Sequence, residues 1–255
     1  MQRAALFVVL LALGGCVSKD SLSNVEHDPW ERLNRSSYLF SDGIDRVTLK
    51  PVAKGYDFVV PAWASRGVTN FSNNLTTPRS MVNNFLQGKP KAGVSDFGRF
   101  LLNSTFGLGG LLDVASMEGL EIYDEDFGQT LAVWGVPDGP YVYLPFLGPE
   151  TLRDAFALPI DIMSDPLMHY EVTSVRDRIN VLRIIDIRAQ LFTAERFLED
   201  SKDPYITLRE SFLQNRRFEI YDGNPPVDDD FYDDFDDFED FDADPDDGAD
   251  SRQDD

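Results

Sequence analysis

The chain is poor in the residues that carry most metal and nucleophile chemistry. Its 255 residues include one cysteine, Cys16, and two histidines, His27 and His169. Structural zinc sites are built from several Cys and His ligands, and a Ser-His-Asp site would need one of these two histidines as its base. The G-x-S-x-G and G-x-x-x-x-G-K-S/T motifs do not occur in the sequence. We therefore expect no enzyme activity, no metal site and no cofactor.

Long apolar runs and clustered basic residues are also missing. The N-terminal run at residues 4–13 contains ten apolar residues, whereas a membrane-spanning helix needs about 20. The chain has 23 Lys and Arg residues against 45 Asp and Glu residues, which gives a net charge of -22. It has no basic stripe of the kind that contacts phosphate groups, so nucleic acid is not an expected partner.

Much of the negative charge lies near the C-terminus. Residues 222–255 contain 17 acidic residues and one basic residue, Arg252, with Phe and Tyr interspersed. A segment of this composition buries too little apolar surface to fold, so we expect residues 222–255 to form a disordered acidic tail. The alternative is that the tail captures a basic partner, with its aromatic side chains adding short-range contact.

The N-terminus has the layout of a signal peptide. Arg3 precedes the apolar run, and Gly14 and Gly15 lead into Cys16. A lone cysteine at the cleavage point is better explained as a lipid attachment site than as half of a disulfide bond. Acyl chains attached there would hold the protein on a membrane surface. We predict a signal peptide at residues 1–15 and a lipidated tether at residues 16–27. The alternative is a secreted protein with an incidental thiol.

The rest of the sequence predicts an all-α fold with little strand. Helix start and stop signals and apolar spacing indicate the main helices. They are expected from Asp28-Pro29 to Asp42-Gly43, at residues 61–75, 78–87, 90–106 and 171–199, and from Asp203-Pro204 to about Arg217. The best strand candidate is Tyr141-Val142-Tyr143-Leu144. The wide apolar face of residues 171–199 includes a second row at Val181, Ile184, Ile187 and Leu191, which fits either ordinary core or partial contact with lipid.

Residues 107–149 differ from the helical segments around them. Glycine and proline recur there among Phe, Trp, Tyr and Leu, which indicates turns and close backbone approaches between apolar side chains. We expect Gly107, Gly109 and Gly110 to permit a tight turn. A long apolar loop in a membrane-anchored protein is a candidate functional element.

A series of short motifs occurs in order over roughly residues 28–218. They are Asp28-Pro29-Trp30-Glu31-Arg32-Leu33-Asn34-Arg35, Lys50-Pro51-Val52-Ala53, Met81-Val82-Asn83-Asn84-Phe85-Leu86-Gln87-Gly88, Arg99-Phe100-Leu101-Leu102-Asn103-Ser104-Thr105, Gly107-Leu108-Gly109-Gly110, Asp126-Phe127-Gly128-Gln129-Thr130-Leu131, Gly139-Pro140-Tyr141-Val142, Asp203-Pro204-Tyr205 and Arg209-Glu210. These motifs and their order resemble those of the MlaA (VacJ) family of outer-membrane lipoproteins. The resemblance implies a flat, ring-like helical body at residues 28–221, with a Gly/Pro-rich apolar hairpin loop.

The resemblance also implies a function. The family is expected to remove misplaced phospholipids from the outer leaflet of the outer membrane and to pass them to a soluble periplasmic carrier (MlaC-like), with a trimeric porin as partner. The chain would then be an outer-membrane lipoprotein on the periplasmic side. The rival hypothesis is a structural lipoprotein that scaffolds a porin-containing complex without conducting lipid.

The candidate passage or gate residues follow from the same resemblance. They are Asn34, Arg35, Asp126, Tyr141, Tyr143 and Phe146. The hypothesis is that the three aromatic residues set the position of a gate, so that Ala in place of Tyr141 or Phe146 alters lipid flux without unfolding the protein. The alternative is that they are core aromatics. Arg35 and Asp126 are either polar contacts in the passage or surface ion pairs.

Overall fold

The computed structural model describes residues 28–226. The predicted signal peptide at residues 1–15, the lipidation site Cys16, the tether at residues 16–27 and residues 227–255 of the predicted tail lie outside the described residues. Within the described part, clustering of the backbone separates one compact unit that ends at Phe212 from a second that begins at Leu213.

The described residues are mainly helical, as predicted. The elements in chain order are α1 (Glu31–Val47), α2 (Leu49–Val59), α3 (Ala62–Leu86), α4 (Pro90–Thr105), α5 (Val114–Met117), α6 (Phe127–Val133), β1 (Tyr141–Leu144), β2 (Gly148–Thr151), α7 (Leu152–Ser164), a 3-10 turn (Pro166–His169), α8 (Thr173–Gln190), α9 (Phe192–Glu199) and α10 (Pro204–Ile220). The predicted strand, the helix at residues 90–106 and the start of the last helix are confirmed. The ring shape implied by the resemblance stays a prediction.

The start and the end predicted for the first helix are both wrong. The helix begins at Glu31 with Trp30 as its N-cap, because the Asp28 carboxylate binds distant side chains instead. It also continues through Gly43 to Val47. A single helical glycine costs only about 1 kcal/mol, and the packing of α1 against β1 and α2 outweighs that cost.

Two other predicted boundaries are also wrong. Residues 61–75 and 78–87 form one helix, α3, with Pro78 inside it. The hydroxyls of Thr76 and Thr77 donate to the carbonyl of Asn73 at 3.0 and 2.8 Å, beside the carbonyl that Pro78 leaves without its helical donor. Conversely, the single helix predicted at residues 171–199 is two helices, α8 and α9, which divide at Leu191.

Strands β1 and β2 form an antiparallel hairpin with Tyr141 opposite Thr151 and Leu144 opposite Gly148. The turn places Phe146 at a φ of 65°, a left-handed conformation that non-glycine residues seldom adopt. After β2 the chain enters α7 directly, and the Thr151 hydroxyl caps that helix by accepting from the backbone N–H of Asp154 at 3.2 Å. The hairpin is thus fixed at its base and turns sharply at its tip.

Polar side chains fill much of the described interior, and large apolar side chains lie on the surface. Buried polar residues include Asp96, Arg153 and Asp186, each at most 5% exposed, whereas Phe58 is 91% exposed and Trp63 is 75% exposed. The second apolar row of residues 171–199 is exposed as well. Its members are Val181, Ile184, Ile187 and Leu191. Among residues 28–226, no helix combines the length and apolar composition needed to cross a bilayer.

The second unit comprises, in its described part, the end of α10 and the residues that follow it. Here Asn215 donates to the Glu219 carboxylate at 2.7 Å, and Arg216 pairs with the same carboxylate at 3.1 Å. Arg217 donates to the carbonyl of Pro226 at 2.8 Å. These local bonds support the last turns of α10.

Gly43 offers a test of the continuous first helix. No heavy atom outside its own helix lies within 4 Å of the position of an added Cβ, so Ala fits without a clash. We expect Gly43→Ala to raise the free energy of unfolding by about 0.5–1 kcal/mol, the ordinary helical difference between the two residues. Thermal unfolding followed by circular dichroism checks this, with Gly107→Ala as the contrasting variant because its Cβ would lie 2.2 Å from the Leu112 carbonyl oxygen. A loss of stability for Gly43→Ala would contradict a helix that continues through this position.

Candidate functional site

Asn34 holds the hairpin against α1. Its side-chain amide donates to the backbone carbonyl of Tyr141 at 3.0 Å and to the Asp28 carboxylate at 2.8 Å, and its carbonyl oxygen accepts from the N–H of Tyr143 at 3.0 Å. Both donors and the acceptor of this buried amide are therefore used. Because two of these bonds reach the β1 backbone, the residue fixes the strand's position on the helix whatever side chains the strand carries.

The Asp28 carboxylate joins α1 to the last helix. One oxygen accepts from Asn34, and the other accepts from the Tyr205 hydroxyl and from Arg209 at 3.1 Å. Asp28 and Arg209 are both almost fully buried. Burial, followed by the hydrogen bond to Asp28, raises the pKa of the Tyr205 phenol, so the hydroxyl keeps its proton and remains a donor. A buried charge pair of this kind is stable only because every partner is present.

Arg35 extends the same cluster toward the surface. Its guanidinium pairs with Glu31 at 2.8 Å and with Asp203 at 2.9 Å, and its central carbon lies 4.6 Å from the centroid of the Tyr205 ring. Partial burial is the largest single influence on Asp203 and works against its ionisation. The hydrogen bonds from Arg35 and from the backbone N–H groups of Ile206 and Tyr205, together with the charge of Arg35, outweigh it and lower the pKa of that carboxyl. Arg35 thus forms two ion pairs and stacks on the Tyr205 ring, and its role in a passage stays a prediction.

Aromatic side chains surround the hairpin at graded depths. Tyr141 is 1% exposed and its ring lies 6.2 Å from that of Tyr205, centroid to centroid. The half-buried Tyr143 packs edge-on against Tyr38 at 5.6 Å. Phe146 at the tip is 65% exposed and lies 5.7 Å from Phe40. The hairpin therefore has a fixed end at Tyr141 and an exposed end at Phe146.

Two further contacts define the hairpin's outer end. The backbone N–H of Phe146 donates to the Ser41 hydroxyl at 3.2 Å, and that hydroxyl donates to the Ser37 carbonyl at 2.8 Å. An open groove of about 380 Å³ lies between α1 and the hairpin, with a mostly apolar lining. Its lining residues are Trp30, Leu33, Asn34, Ser37, Val142, Tyr143, Leu144 and Pro145. A groove of this character suits an alkyl chain beside a polar anchor.

Tyr141 carries an unusual feature for a core residue. Its hydroxyl is buried without a hydrogen-bond partner among the described residues, although buried polar groups are normally paired. Burial raises the pKa of this phenol, so it stays neutral. The tyrosine therefore contributes its ring to the core while its hydroxyl opposes burial.

Asp126 lies at the start of α6. Its carboxylate caps that helix by accepting from the backbone N–H of Gln129 at 2.8 Å and from the Gln129 amide at 3.2 Å. The neighbouring N–H of Phe127 donates to Asp161 at 3.0 Å. The other five sequence-based candidates lie together around the hairpin, and we call this group the hairpin cluster: Asn34, Arg35, Tyr141, Tyr143 and Phe146. Asp126 lies apart from it in sequence and caps α6.

A second polar region lies between α3 and α4. A cavity of about 80 Å³ is lined by side chains of both helices and of residues 113–124. Within it Arg99 pairs with Asp113 at 2.9 Å, and Asp113 also accepts from Asn103 at 3.0 Å. Burial raises the pKa of Asp96 to about 6, against the hydrogen bonds from Ser80 and Asn84 that lower it.

The glycine-rich segment 107–110 shapes this second region. A Cβ on Gly107 would lie 2.2 Å from the Leu112 carbonyl oxygen, and one on Gly110 would lie 2.5 Å from the Cβ of Asn74. Gly109 and Gly110 have φ angles of 74° and 99°. The tight turn predicted for these glycines is confirmed, and it also lets the backbone approach the cavity wall closely.

Several central residues of the two regions have no site role that the sequence predicts. Local rules predict a helix cap at Asp28, and they give no role to Tyr205, Arg209, Asn74 and Asp96. Asp28 and Arg209 are 181 positions apart, so no local pattern links them. The available signal was their presence in the first and last motifs of the family resemblance.

The fold and the site define a class of protein. It is a helical protein with polar side chains inside and large apolar side chains outside, which is the arrangement expected of a chain in contact with lipid. More particularly, the chain belongs to the MlaA lipoprotein family, whose model matches residues 26–219. The family predicted from the motifs is confirmed.

Relatives support this assignment over most of the chain. The chain is 37% identical over 222 residues to the intermembrane phospholipid transport system lipoprotein MlaA of Escherichia coli (strain K12), which covers 86% of this chain and 88% of that protein. It is 34% identical over 242 residues to the lipoprotein of the same description from Haemophilus influenzae, covering 88% and 93%.

A solved structure shares the fold. It is described as the structural basis for maintenance of bacterial outer membrane lipid asymmetry, and it matches with a TM-score of 0.66 and 39% identity. The match covers 77% of this chain and 99% of the solved chain.

Proposed function

We propose that this lipoprotein moves phospholipids from the outer leaflet of the outer membrane toward the periplasm and so maintains lipid asymmetry. It acts as a transporter and not as an enzyme. Two findings support this proposal. The relatives are named as phospholipid transport lipoproteins, and the similar solved structure concerns lipid asymmetry.

One observation carries the proposal. The described chain buries charged and amide side chains and exposes large apolar ones. A lipid headgroup that crosses hydrocarbon needs polar surroundings, because an unsolvated charge there is costly, while the outer surface of the protein must match the lipid tails. A polar interior inside an apolar exterior meets both requirements without a membrane-spanning helix.

The hairpin is the element that we propose to act as a gate. Asn34 holds β1 through two backbone bonds, so the base of the hairpin stays in place. The exposed tip at Phe146 is held by its ring contact with Phe40 and by one hydrogen bond to Ser41. Displacement of the tip breaks few contacts, and it would widen the apolar groove beside α1 for an acyl chain.

The same proposal assigns location and partners. Acylation at Cys16 would hold the chain on the periplasmic side of the outer membrane, and more than one acyl chain is needed for stable anchoring. A trimeric porin would support the body in the membrane, and a soluble periplasmic carrier (MlaC-like) would receive the lipid. A carrier that shields acyl chains is required physically, because the periplasm is aqueous.

The test is the phospholipid content of the outer leaflet in cells that lack the protein. We expect phospholipid to accumulate there and to return to its normal level when the intact chain is restored. Cys16→Ala, which removes the predicted attachment point, is expected to fail to restore it. Absence of accumulation would favour the structural-scaffold function, and full rescue by Cys16→Ala would remove the role of the anchor.

A further inference from the structure

The polar cavity between α3 and α4 has features that packing alone does not require. Its volume of about 80 Å³ is several times the roughly 10–15 Å³ that one water needs, so it has room for an ammonium group with the methylene that bears it. The cavity is therefore suited to the end of a polar headgroup.

Two buried oxygens of the cavity lining have no hydrogen-bond partner among the described residues. They are Oδ1 of Asn74 and Oδ1 of Asp96, and these residues are 5% and 1% exposed. The other polar atom of each side chain is in use. Asn74 donates to the Ser104 hydroxyl at 3.0 Å, and Oδ2 of Asp96 accepts from Ser80 at 2.7 Å and from Asn84 at 2.9 Å.

The charge in the cavity is also unbalanced. The Arg99 guanidinium is committed to Asp113 through two bonds at 2.9 and 3.0 Å, whereas both hydrogen-bond donors to Asp96 are neutral. At pH 7.5 the Asp96 carboxyl is above its pKa of about 6 and is ionised. Arg99 acts on Asp96 through its charge but does not bond to it, so the buried Asp96 carboxylate keeps one oxygen without a donor among the described residues.

We propose that this cavity binds a primary ammonium group, that of a phosphatidylethanolamine headgroup, with Asp96 and Asn74 as the acceptors. The inference rests on the proposed phospholipid transport and adds a lipid preference to it. A primary ammonium donates up to three hydrogen bonds. The trimethylammonium of phosphatidylcholine has the same charge but no N–H, and the headgroup of phosphatidylglycerol has no cation.

Gly110 supports the acceptor geometry. Its backbone lies so close to Asn74 that an added Cβ would approach within 2.5 Å of the Asn74 side chain. Asn74 also donates to Ser104 on α4. The amide is therefore held from two sides, which fixes the position of its oxygen.

The test is competitive lipid capture by the purified full chain at pH 7.5. Detergent micelles contain equal amounts of dioleoyl phosphatidylethanolamine, phosphatidylcholine and phosphatidylglycerol, and mass spectrometry quantifies the bound lipid. We expect the ethanolamine lipid to exceed each of the others by about tenfold, the ratio that a charge-assisted hydrogen bond of roughly 1.4 kcal/mol gives. The measurement on the wild-type chain is enough to refute the proposal, so the test does not depend on a variant that folds.

Asp96→Asn assigns the preference to the cavity. An asparagine can keep the bonds from Ser80 and Asn84 while placing an amide donor where the free carboxylate oxygen was. We expect the ratio to fall to about one, with thermal unfolding checking that the variant folds. Asp124→Asn is the matched control, because it removes the same charge at an exposed position of the lining and is expected to keep the preference.

The outcomes separate the two proposals. Equal capture of all three lipids overturns the ammonium site and leaves phospholipid transport standing, and so does a preference that survives Asp96→Asn. Capture of none of the lipids overturns the proposed function and the ammonium site with it. Saturating ethanolamine hydrochloride tests whether the ammonium group is what the cavity binds: a ratio that falls toward one shows that free ammonium competes for the site, and an unchanged ratio overturns the proposal.

Discussion

Arg209→Met is expected to lower the free energy of unfolding by about 3–5 kcal/mol, which is the usual loss when one partner of a buried ion pair is removed. The Arg209 guanidinium lies 3.1 Å from the Asp28 carboxylate, and both side chains are nearly inaccessible to water. Methionine fills a similar length of space but leaves the carboxylate without its charged donor. Unfolding of the detergent-solubilised chain, followed by circular dichroism, measures the loss.

The double variant Asp28→Asn with Arg209→Met separates charge from packing. It removes the uncompensated carboxylate while keeping an amide oxygen that can accept from either Tyr205 or Asn34. We expect the double variant to be more stable than Arg209→Met alone, because the desolvated charge is gone. If the two variants lose equal stability, the cost comes from the shape of Arg209, and its charge has no part in holding α1 to α10.

Local signals in the sequence predicted part of the fold. Pro90 and Pro204 begin helices because proline suits the first helical position, and the alternation at Tyr141–Leu144 predicted a strand. The same local rules predict that one helix ends at Gly43 and that another begins at Pro78. In the structure both lie inside helices, because packing against neighbouring elements decides whether a weak helical position is kept.

The distribution of polarity was less predictable. An apolar stripe on a helix is equally compatible with a core and with a lipid-facing surface, since the period is the same for both. On α8 the row that includes Val181, Ile184 and Ile187 is exposed, while Asp186 is buried. Four neutral donors satisfy that carboxylate, from Tyr56, Ser65, Thr69 and Gln190. Such a site is assembled from three helices, so no single segment of sequence indicates it.

The candidate site depended on contacts between distant residues. Asn34 and Tyr141 are 107 positions apart, and residue type gave no means of pairing them. The family resemblance places both residues in motifs that follow the family order, and that is why five of the six candidates fall in one cluster. The resemblance did not distinguish a residue in the hairpin cluster from a helix cap, and Asp126 is the example.

The difference in burial along the hairpin changes what alanine replacements test. Tyr141→Ala is expected to cost about 3–5 kcal/mol of stability, as removal of a large buried aromatic ring does, so any effect on lipid flux could not be separated from unfolding. Phe146→Ala removes a ring that is 65% exposed and is expected to cost less than about 1 kcal/mol. The expectation that both variants stay folded therefore applies to Phe146 alone, and lipid flux is the measurement for that variant.

Tyr141→Phe is the matched control for the core position. It keeps the ring contacts with Tyr205 and Phe212 and removes only the buried hydroxyl that has no partner among the described residues. We expect this variant to be at least as stable as the wild type, because an unpaired buried polar group costs about 1–3 kcal/mol. Thermal unfolding of the two variants side by side measures the ring and the hydroxyl separately. A clear loss of stability for Tyr141→Phe would contradict this expectation. It would mean that the hydroxyl is bonded in the working protein, to a water, a lipid or a partner, and only a bond to lipid would give Tyr141 a direct role in transport.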